Sequence, residues 1–459
     1  MNSLPAGLKP NETLTIVDNR SGAEYSFPIV NNSVSSVLFK EIKCSPKGRY
    51  PGDQHENGLK LLDPGFQNTA CMKSQICFVD GNAGQISYRG VSVPDLYQSG
   101  RPFEHVAFLL IFGRLPTPDE AVAFNTSLAE TILPPQNVFD LIKTFPKHTH
   151  PTTAIASALT AFVASQPNKV PAHRGTNLYK GNLALVDAEI PRFLQTYAII
   201  AAAVFCHLKG REFEPPKLEF SYVENVLHMM RYVEEGTGKP DPRVVSVLSR
   251  HWILTADHEL TNSTAAFLHA ASTLSDPYSC SAVSNLSGAG ILHGGAMEVS
   301  HKQMEAVGNI ENVPALIEEV KQGKKRLFGY GHRTYKVTDP RAQFIHELIR
   351  EASSFSDAAK KDTGLQIALE IDRIASQDNY FVSRDLCANV DLFLSHVYNA
   401  IGIHADFILP MSLMGRNPGM IAHWREVMSD PRPRMWRPLQ LYTGKVPGWE
   451  QKLDEENAN

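Results

Sequence analysis

The chain has 459 residues, of which 43% are hydrophobic and 20% charged, with a formal net charge of -4 and a pI near 6.5. These values describe a globular protein with a substantial core, long enough for two or three ordinary domains or one large one with a lobe. They give no reason to expect nucleic acid or an acidic membrane as a partner. The six cysteines (44, 71, 77, 206, 280 and 387) lack CxxC or metal-type spacing and read as reduced thiols of an intracellular protein. Residues 1–14 contain no apolar signal core and no arginine-rich amphipathic pattern, and the chain does not close on a Ser-Lys-Leu type tail. The most apolar run, 197–208, is too short to cross a bilayer. A cytoplasmic location is the default expectation.

In chain order, residues 13–30 alternate around Asn19-Arg-Ser-Gly22 and predict a β-hairpin. Residues 46–58 are polar and rich in glycine and proline, and predict a loop. Residues 71–88 alternate around Asp80-Gly81-Asn82-Ala83-Gly84, which predicts a second short hairpin. After Gly90 helical periods take over. Helices are expected over 93–98, 104–112, 118–133, 135–144, 153–165 and 189–208. More follow over 219–232, 240–255, 263–274, 301–307 and 313–321, then 343–351, 365–377, 391–401, 408–415 and 419–428. Asn285-Leu-Ser-Gly-Ala-Gly-Ile-Leu reads as a small-residue turn that delivers His293 onto Gly294-Gly295-Ala296. No repeat of 20–50 residues is visible. The fold class is mainly α, with a small N-terminal β element.

Several polar side chains stand in settings suited to chemistry: His258, Asn262, His293, His332, Arg341, Asp391, Arg416 and Arg437. Glycines beside His293 and His332 let backbone approach a ligand closely, and His258 follows a helix-like apolar run. Each has a plain structural reading as well. A single histidine among seventeen is more often satisfied or solvated. Asp391 in Ala388-Asn-Val-Asp could be a helix N-cap, and Asp339-Pro-Arg341 a helix start with proline at the first position. The three histidines are 35 and 39 residues apart, without the i, i+4 pairing of a helical metal site. No Gly-x-Ser-x-Gly elbow occurs. Gly329-Tyr330-Gly331-His332 is too short for a dinucleotide fingerprint.

Taken together these segments resemble the motifs of citrate synthases. They are Ala256-Asp-His258-Glu-x-x-Asn262-Ser-Thr, Leu286-Ser-Gly-Ala-Gly-Ile-Leu-His293-Gly-Gly-Ala, Gly329-Tyr-Gly-His332 through Asp339-Pro-Arg341, and Asn389-Val-Asp391. The likeness runs from Asp63-Pro-Gly-Phe to Arg437-Pro-Leu-Gln-Leu-Tyr-Thr-Gly444, in family order. It implies a two-domain helical fold, with 1–295 as the large domain, 296–406 as the small one and 407–459 returning to the first. It further implies an enzyme, an acyltransferase that joins an acyl-CoA (acetyl-CoA or a longer one) to oxaloacetate and then hydrolyses the thioester to citrate or a 2-alkylcitrate, with no metal and no redox cofactor. In that family the residue matching Asp391 is the base that removes the α-proton. His293 matches the donor to the thioester oxygen, and His332 the donor to the oxaloacetate ketone. His258, Asn262, Arg341, Arg416 and Arg437 match the oxaloacetate ligands, guanidinium being suited to paired carboxylates. The arginine matching Arg437 crosses a subunit interface, which implies a homodimer. Lys324, Lys325, Arg326, Gly329, Tyr330 and Gly331 fall where the family binds CoA, although an exposed charge run explains the basic triplet equally well.

The catalytic positions are kept while their neighbours depart from the family pattern. Thr255 stands where histidine is common, Met297 where asparagine follows His-Gly-Gly-Ala, and Ile291 where proline is common. Leu392, Phe393 and Leu394 replace the more polar residues after Asn-Val-Asp. An apolar segment beside the base suggests an apolar acyl site, hence an acyl-CoA longer than acetyl-CoA and a 2-alkylcitrate product. Drift at packing positions would produce the same substitutions. The alternative is a catalytically weak binding or regulatory homologue, since a fold alone does not fix function. Cleavage of a preformed citrate analogue is the reverse path through the same residues.

Overall fold

The N-terminal alternation pairs as its period requires. Strands Thr13–Asp18 and Ala23–Pro28 run antiparallel with Asp18 opposite Ala23, closed by Asp18, whose carboxylate receives the Arg20 side chain. The second hairpin, Cys77–Asp80 with Gln85–Tyr88, gains a third strand, Val91–Ser92. The computed structural model describes residues 12–43, 58–130, 132–332 and 334–442. Most of the loop expected over 46–58 lies outside them. The chain divides into two compact units, Met1–Lys73 with Arg437–Asn459, and Ser74–Trp436.

Everything else of size is helix, and the protein is mainly α as its periods require. Most expected helices are present within a few residues of their predicted limits. Three differ for identifiable reasons. The helix expected from 189 spans Leu183–Lys209, with Pro191 inside it. Asn182 caps its first turn, and burial of Val186, Glu189 and Ile190 outweighs the hydrogen bond that proline forfeits. The apolar run 197–208 lies within this helix and is almost wholly buried. Helices expected over 408–415 and 419–428 are one continuous helix, Ile408–Ser429, despite Pro418. The expected turn at Asn285 is instead the last turn of a helix, Pro277–Gly288. Its small, serine-rich sequence hides the period, but Asp276 accepts from the Ser279 N–H and Pro277 opens it, the usual start signals.

Long helix Ile408–Ser429 is the spine of the larger unit. It packs on Phe103–Phe112, Leu183–Lys209, Pro242–Thr255 and Asn262–Ala271. Gly415 and Gly419 notch its surface one turn apart. A Cβ at Gly415 would lie 2.5 Å from Trp252 Cδ1, and one at Gly419 would overlap Asp257 Oδ2 and the Ala256 carbonyl. The end of helix Pro242–Thr255 is seated in that notch. Gly415→Ala is therefore expected to lower stability by about 1–3 kcal/mol through overpacking. Urea denaturation measures this, and an unchanged midpoint would mean that Trp252 does not pack as described.

Candidate active site

Four chain segments bring the sequence-predicted polar residues together, each by a local device. The first is the stretch after helix Pro242–Thr255. Here Tyr88 donates its hydroxyl to the Asp257 carbonyl at 3.1 Å, and the Asp257 carboxylate accepts from the Glu259 N–H at 2.9 Å. These bonds hold the irregular turn that presents His258, which is buried. Thr261 then caps helix Asn262–Ala271, so Asn262 and Ser263 open it.

The second segment follows helix Pro277–Gly288. Gly294 and Gly295 fold the chain tightly back on itself; a Cβ on Gly294 would lie 2.6 Å from Leu409 Cδ1, and one on Gly295 2.6 Å from the Ala289 carbonyl. That close approach is why glycine stands there. It places His293 against the opening of helix Asn262–Ala271. The Ser263 N–H donates to His293 Nε2 at 3.1 Å, with the Ser263 hydroxyl 2.8 Å away. Asn262 Oδ1 accepts from the Ser287 hydroxyl.

The third segment is the loop 329–341. Gly329 and Gly331 adopt positive φ, +79° and +82°. A Cβ on Gly329 would lie 2.7 Å from Leu392 Cα. Main-chain bonds strap this loop to the fourth segment: the Gly331 N–H to the Cys387 carbonyl at 2.7 Å, and the Asn389 N–H to the Gly329 carbonyl at 3.0 Å. The Tyr330 hydroxyl donates to Asp372 at 2.8 Å. Beyond it, Thr334 and Tyr335 N–H groups donate to His332 Nδ1 at 3.0 and 3.1 Å. The hairpin Cys77–Tyr88 supports the loop from the other side, the Lys336 N–H donating to the Gly81 carbonyl at 3.0 Å.

His258 and His332 face each other with ring centroids 5.5 Å apart. Tyr335 bridges them, its hydroxyl 3.1 Å from His258 Nε2 and its ring 4.8 Å from that of His332. All three site histidines are held neutral. Burial, reinforced by Arg341 or Arg416, pushes His293 and His332 each down to about 4 and His258 well below its ordinary value. The tautomers follow from the backbone donors. His293 accepts at Nε2, so its proton is on Nδ1; His332 accepts at Nδ1, so its proton is on Nε2. A neutral imidazole with one nitrogen occupied by an N–H offers a single N–H donor from the other.

Two cations serve the same space. Arg341 is buried and paired bidentately with buried Asp339, at 2.9 and 2.7 Å. Burial works against its charge, but Asp339 outweighs burial and raises its pKa. The helix expected over 343–351 spans Ala342–Phe355, so the proline-led start open to Asp339-Pro340-Arg341 is not taken up; Asp339 accepts from the Arg341 N–H at 3.0 Å. Arg416, on helix Ile408–Ser429, has no ion-pair partner among the described residues, and burial lowers its pKa. Asp391 is half-buried in a short 3₁₀ turn, Val390–Leu392. The N-cap there is Asn389, which accepts from the Asp391 N–H at 2.8 Å, so the capping role open to Asp391 falls to its neighbour. Burial pushes the Asp391 carboxyl up to about 6, Asp339 adding to the rise while Arg341 and Arg416 oppose it.

The remaining predicted residues differ in exposure. Lys324, Lys325 and Arg326 are exposed, Lys325 pairing with Glu319 at 2.8 Å. Arg437 is exposed and belongs to the other compact unit. Thr255, Met297, Leu392, Phe393 and Leu394 are buried. Thr255 donates to the His251 carbonyl at 3.2 Å, Ser412 Oγ lies 3.8 Å from Met297 Sδ, and the Phe393 ring stacks edge-on against His346 at 4.2 Å. Three residues were not singled out from the sequence: Tyr335, Asp339 and Ser263. All sit inside the quoted motifs, and Asp339, two residues before an arginine, carried a signal that was read as helix punctuation.

Breaking a buried ion pair leaves an uncompensated charge, a loss of about 3–5 kcal/mol. Asp339→Ala is expected to lower stability by that order, and Arg341→Ala by a comparable amount. Asp339→Ala/Arg341→Ala, measured by denaturant unfolding, should lose less than the sum of the two. Additive losses would exclude the coupling.

The site can thus offer two neutral N–H donors, one buried and one half-buried guanidinium group, and one carboxylate whose pKa is raised to about 6. The family model for the citrate synthase C-terminal domain matches residues 65–439. The chain is 46% identical over 446 residues to a citrate synthase-like protein, oryE, of Aspergillus oryzae, covering 97% of this chain and 98% of that one. It is 35% identical to the alkylcitrate synthase phiJ of a fungal species, covering 94% and 93%. Among solved structures it resembles citrate synthase of Thermoplasma acidophilum in complex with carboxymethyl coenzyme A and oxaloacetate. That likeness has a TM-score of 0.76 and 26% identity, over 86% of this chain and 99% of that one. With matching sequence, fold and motif order, the chain belongs to the citrate synthase family.

Proposed function

We propose that this family member condenses an acyl-CoA with oxaloacetate and hydrolyses the resulting thioester, giving a 2-alkylcitrate and free CoA. The observation that carries the reading is the pair of neutral histidines whose opposite tautomers are each set by backbone N–H groups, beside buried Arg341 and half-buried Arg416 and Asp391. Asp391 takes a proton from the carbon next to the thioester carbonyl. His293 Nδ1–H donates to the thioester oxygen as it gains charge, and a donor already in place stabilises the enol(ate) without reorganisation. The nucleophilic carbon adds to the oxaloacetate ketone, whose oxygen receives a hydrogen bond from His332 Nε2–H. Arg341 and Arg416 hold the oxaloacetate carboxylates with His258 and Asn262. Water then cleaves the thioester. An Asp391 carboxyl near 6 is a stronger base than an ordinary aspartate while still ionised at neutral pH.

The reading includes a homodimer in which Arg437 completes the partner's oxaloacetate site, and closure of 296–406 against 1–295 and 407–459. Lys324, Lys325 and Arg326 meet the nucleotide end of CoA, with Gly329, Tyr330 and Gly331 as backbone contacts. A longer acyl chain is supported by the apolar residues Leu392, Phe393, Leu394 and Met297 and by the named activity of the alkylcitrate synthase relative. A catalytically weak homologue is the less favoured alternative, because all the polar positions are retained.

Four measurements test this. kcat/KM should fall about tenfold per pH unit below about 6 as Asp391 becomes protonated, and Asp391→Asn should bind oxaloacetate but lose condensation. A flat acid limb, or near-normal turnover by the variant, rejects Asp391 as base. Across acetyl-, propionyl-, butyryl- and hexanoyl-CoA, kcat/KM should rise with chain length; a clear preference for acetyl-CoA rejects the alkylcitrate reading. Mixed dimers of Arg437→Ala and Asp391→Asn subunits should regain activity absent from either parent; no recovery rejects sharing of Arg437.

A further inference from the structure

Behind the site lies a charged group that the proposed chemistry does not use. Asp257 is wholly buried, and its carboxylate accepts one hydrogen bond from the Glu259 N–H. His423, also buried, places Nε2 3.5 Å from Asp257 Oδ1 and 3.3 Å from Oδ2. His423 Nδ1 has no partner among the described residues. The tautomer that leaves no buried N–H without an acceptor is the neutral one with its proton on Nε2, donated toward Asp257. In that tautomer the imidazole gives the carboxylate a hydrogen bond and adds no positive charge beside it.

The carboxylate faces one helix. Arg416, Gly419 and His423 follow at i, i+3 and i+7 on helix Ile408–Ser429, which puts them on a single face. Gly419 is where Asp257 enters; any side chain there would overlap its carboxylate. Arg416 stands one turn along, with no ion-pair partner at contact distance among the described residues. Of the charges acting on Arg416, Asp257 is the largest that favours its ionised form.

We infer that Asp257, held by His423 in the notch at Gly419, is the standing counter-charge of Arg416 and sets how tightly the site binds a substrate carboxylate. A contact ion pair would occupy the guanidinium, as Asp339 occupies that of Arg341. A carboxylate set back behind it compensates the charge and leaves the donors free. Because it compensates, it also weakens the pull on an incoming anion, so product can leave. Asp257 is a positioning and tuning residue that need not touch substrate. The inference rests on the reading of Arg416 as an oxaloacetate ligand.

The test compares the full-length wild type with Asp257→Asn and Arg416→Gln, titrating oxaloacetate alone by calorimetry and recording Tm with and without it. Asp257→Asn should lower Tm without ligand, bind oxaloacetate about tenfold more tightly, the order of one charge interaction at moderate dielectric, and show a larger ligand-induced rise in Tm. A purely structural role would weaken binding; folded Asp257→Asn with equal or weaker oxaloacetate affinity overturns the inference. Arg416→Gln should lose oxaloacetate binding. If it binds like wild type, the assignment of Arg416 to oxaloacetate fails, and the charge coupling is still judged by the double variant. With Arg416 gone, Asp257 is an unneeded buried charge, so Asp257→Asn/Arg416→Gln should melt above Arg416→Gln alone. Additive losses overturn the coupling, even where Asp257→Asn alone is too unstable to titrate.

Discussion

Two guanidinium groups, Arg341 buried and Arg416 half-buried, are the constraint around which the site is built. A buried cation needs compensation, and the fold compensates the two differently. Arg341 has a contact carboxylate, Asp339, two residues away in sequence. Arg416 has none at contact distance among the described residues, and the largest favourable charge on it is Asp257, just beyond the end of another helix. The first cation is rigidly aimed; the second keeps donors to spare. Their joint field explains much of the remaining electrostatics. It helps keep His258, His293 and His332 neutral, and it restrains the rise of the Asp391 carboxyl that burial would otherwise carry further.

Neutral histidines need their protons placed, and the backbone does that. The donors to His293 and His332 are main-chain N–H groups at a helix opening and in a tight loop. Such groups cannot rotate away as a hydroxyl can. Glycines set their positions: Gly294 and Gly295 bring His293 to the helix opening, and Gly329 and Gly331 carry the loop over Leu392 to His332. The glycine-rich surroundings of the two histidines thus shape the chain beneath the ligand, with tautomer control as the consequence.

Much of the fold was legible because most helices carry a period and a cap. The polar cluster after helix Pro242–Thr255 was visible as a break in that period. Where the reading failed, tertiary packing overrode local signals. Pro191 and Pro418 sit inside helices whose faces are buried, and Pro277–Gly288 is a helix whose small residues leave no apolar stripe. The polar set was legible as a set, through motif resemblance, whereas its partners were less so. Asp339 was seen as punctuation when it is the counter-ion of Arg341. Asp257 sat beside His258 in plain view, and only the notch at Gly419 reveals what it faces.

The same geometry separates chemistry from acyl selectivity. The polar residues stand on loops, caps and one helix face, where side chains project into shared space. Leu392, Phe393 and Leu394 follow Asp391 directly into the core, and Met297 is buried on the helix that begins two residues after His293. Leu392 also supports Gly329, so its backbone position is tied to the loop that carries His332. In residues so enclosed a change in one moves its neighbours. On the proposed reading, acyl preference would be a property of the whole packed segment after Asp391. Exchanging one of its side chains would therefore disturb the base and the His332 loop before it re-sized the pocket, and a shift of preference would require compensating changes at several of these positions together.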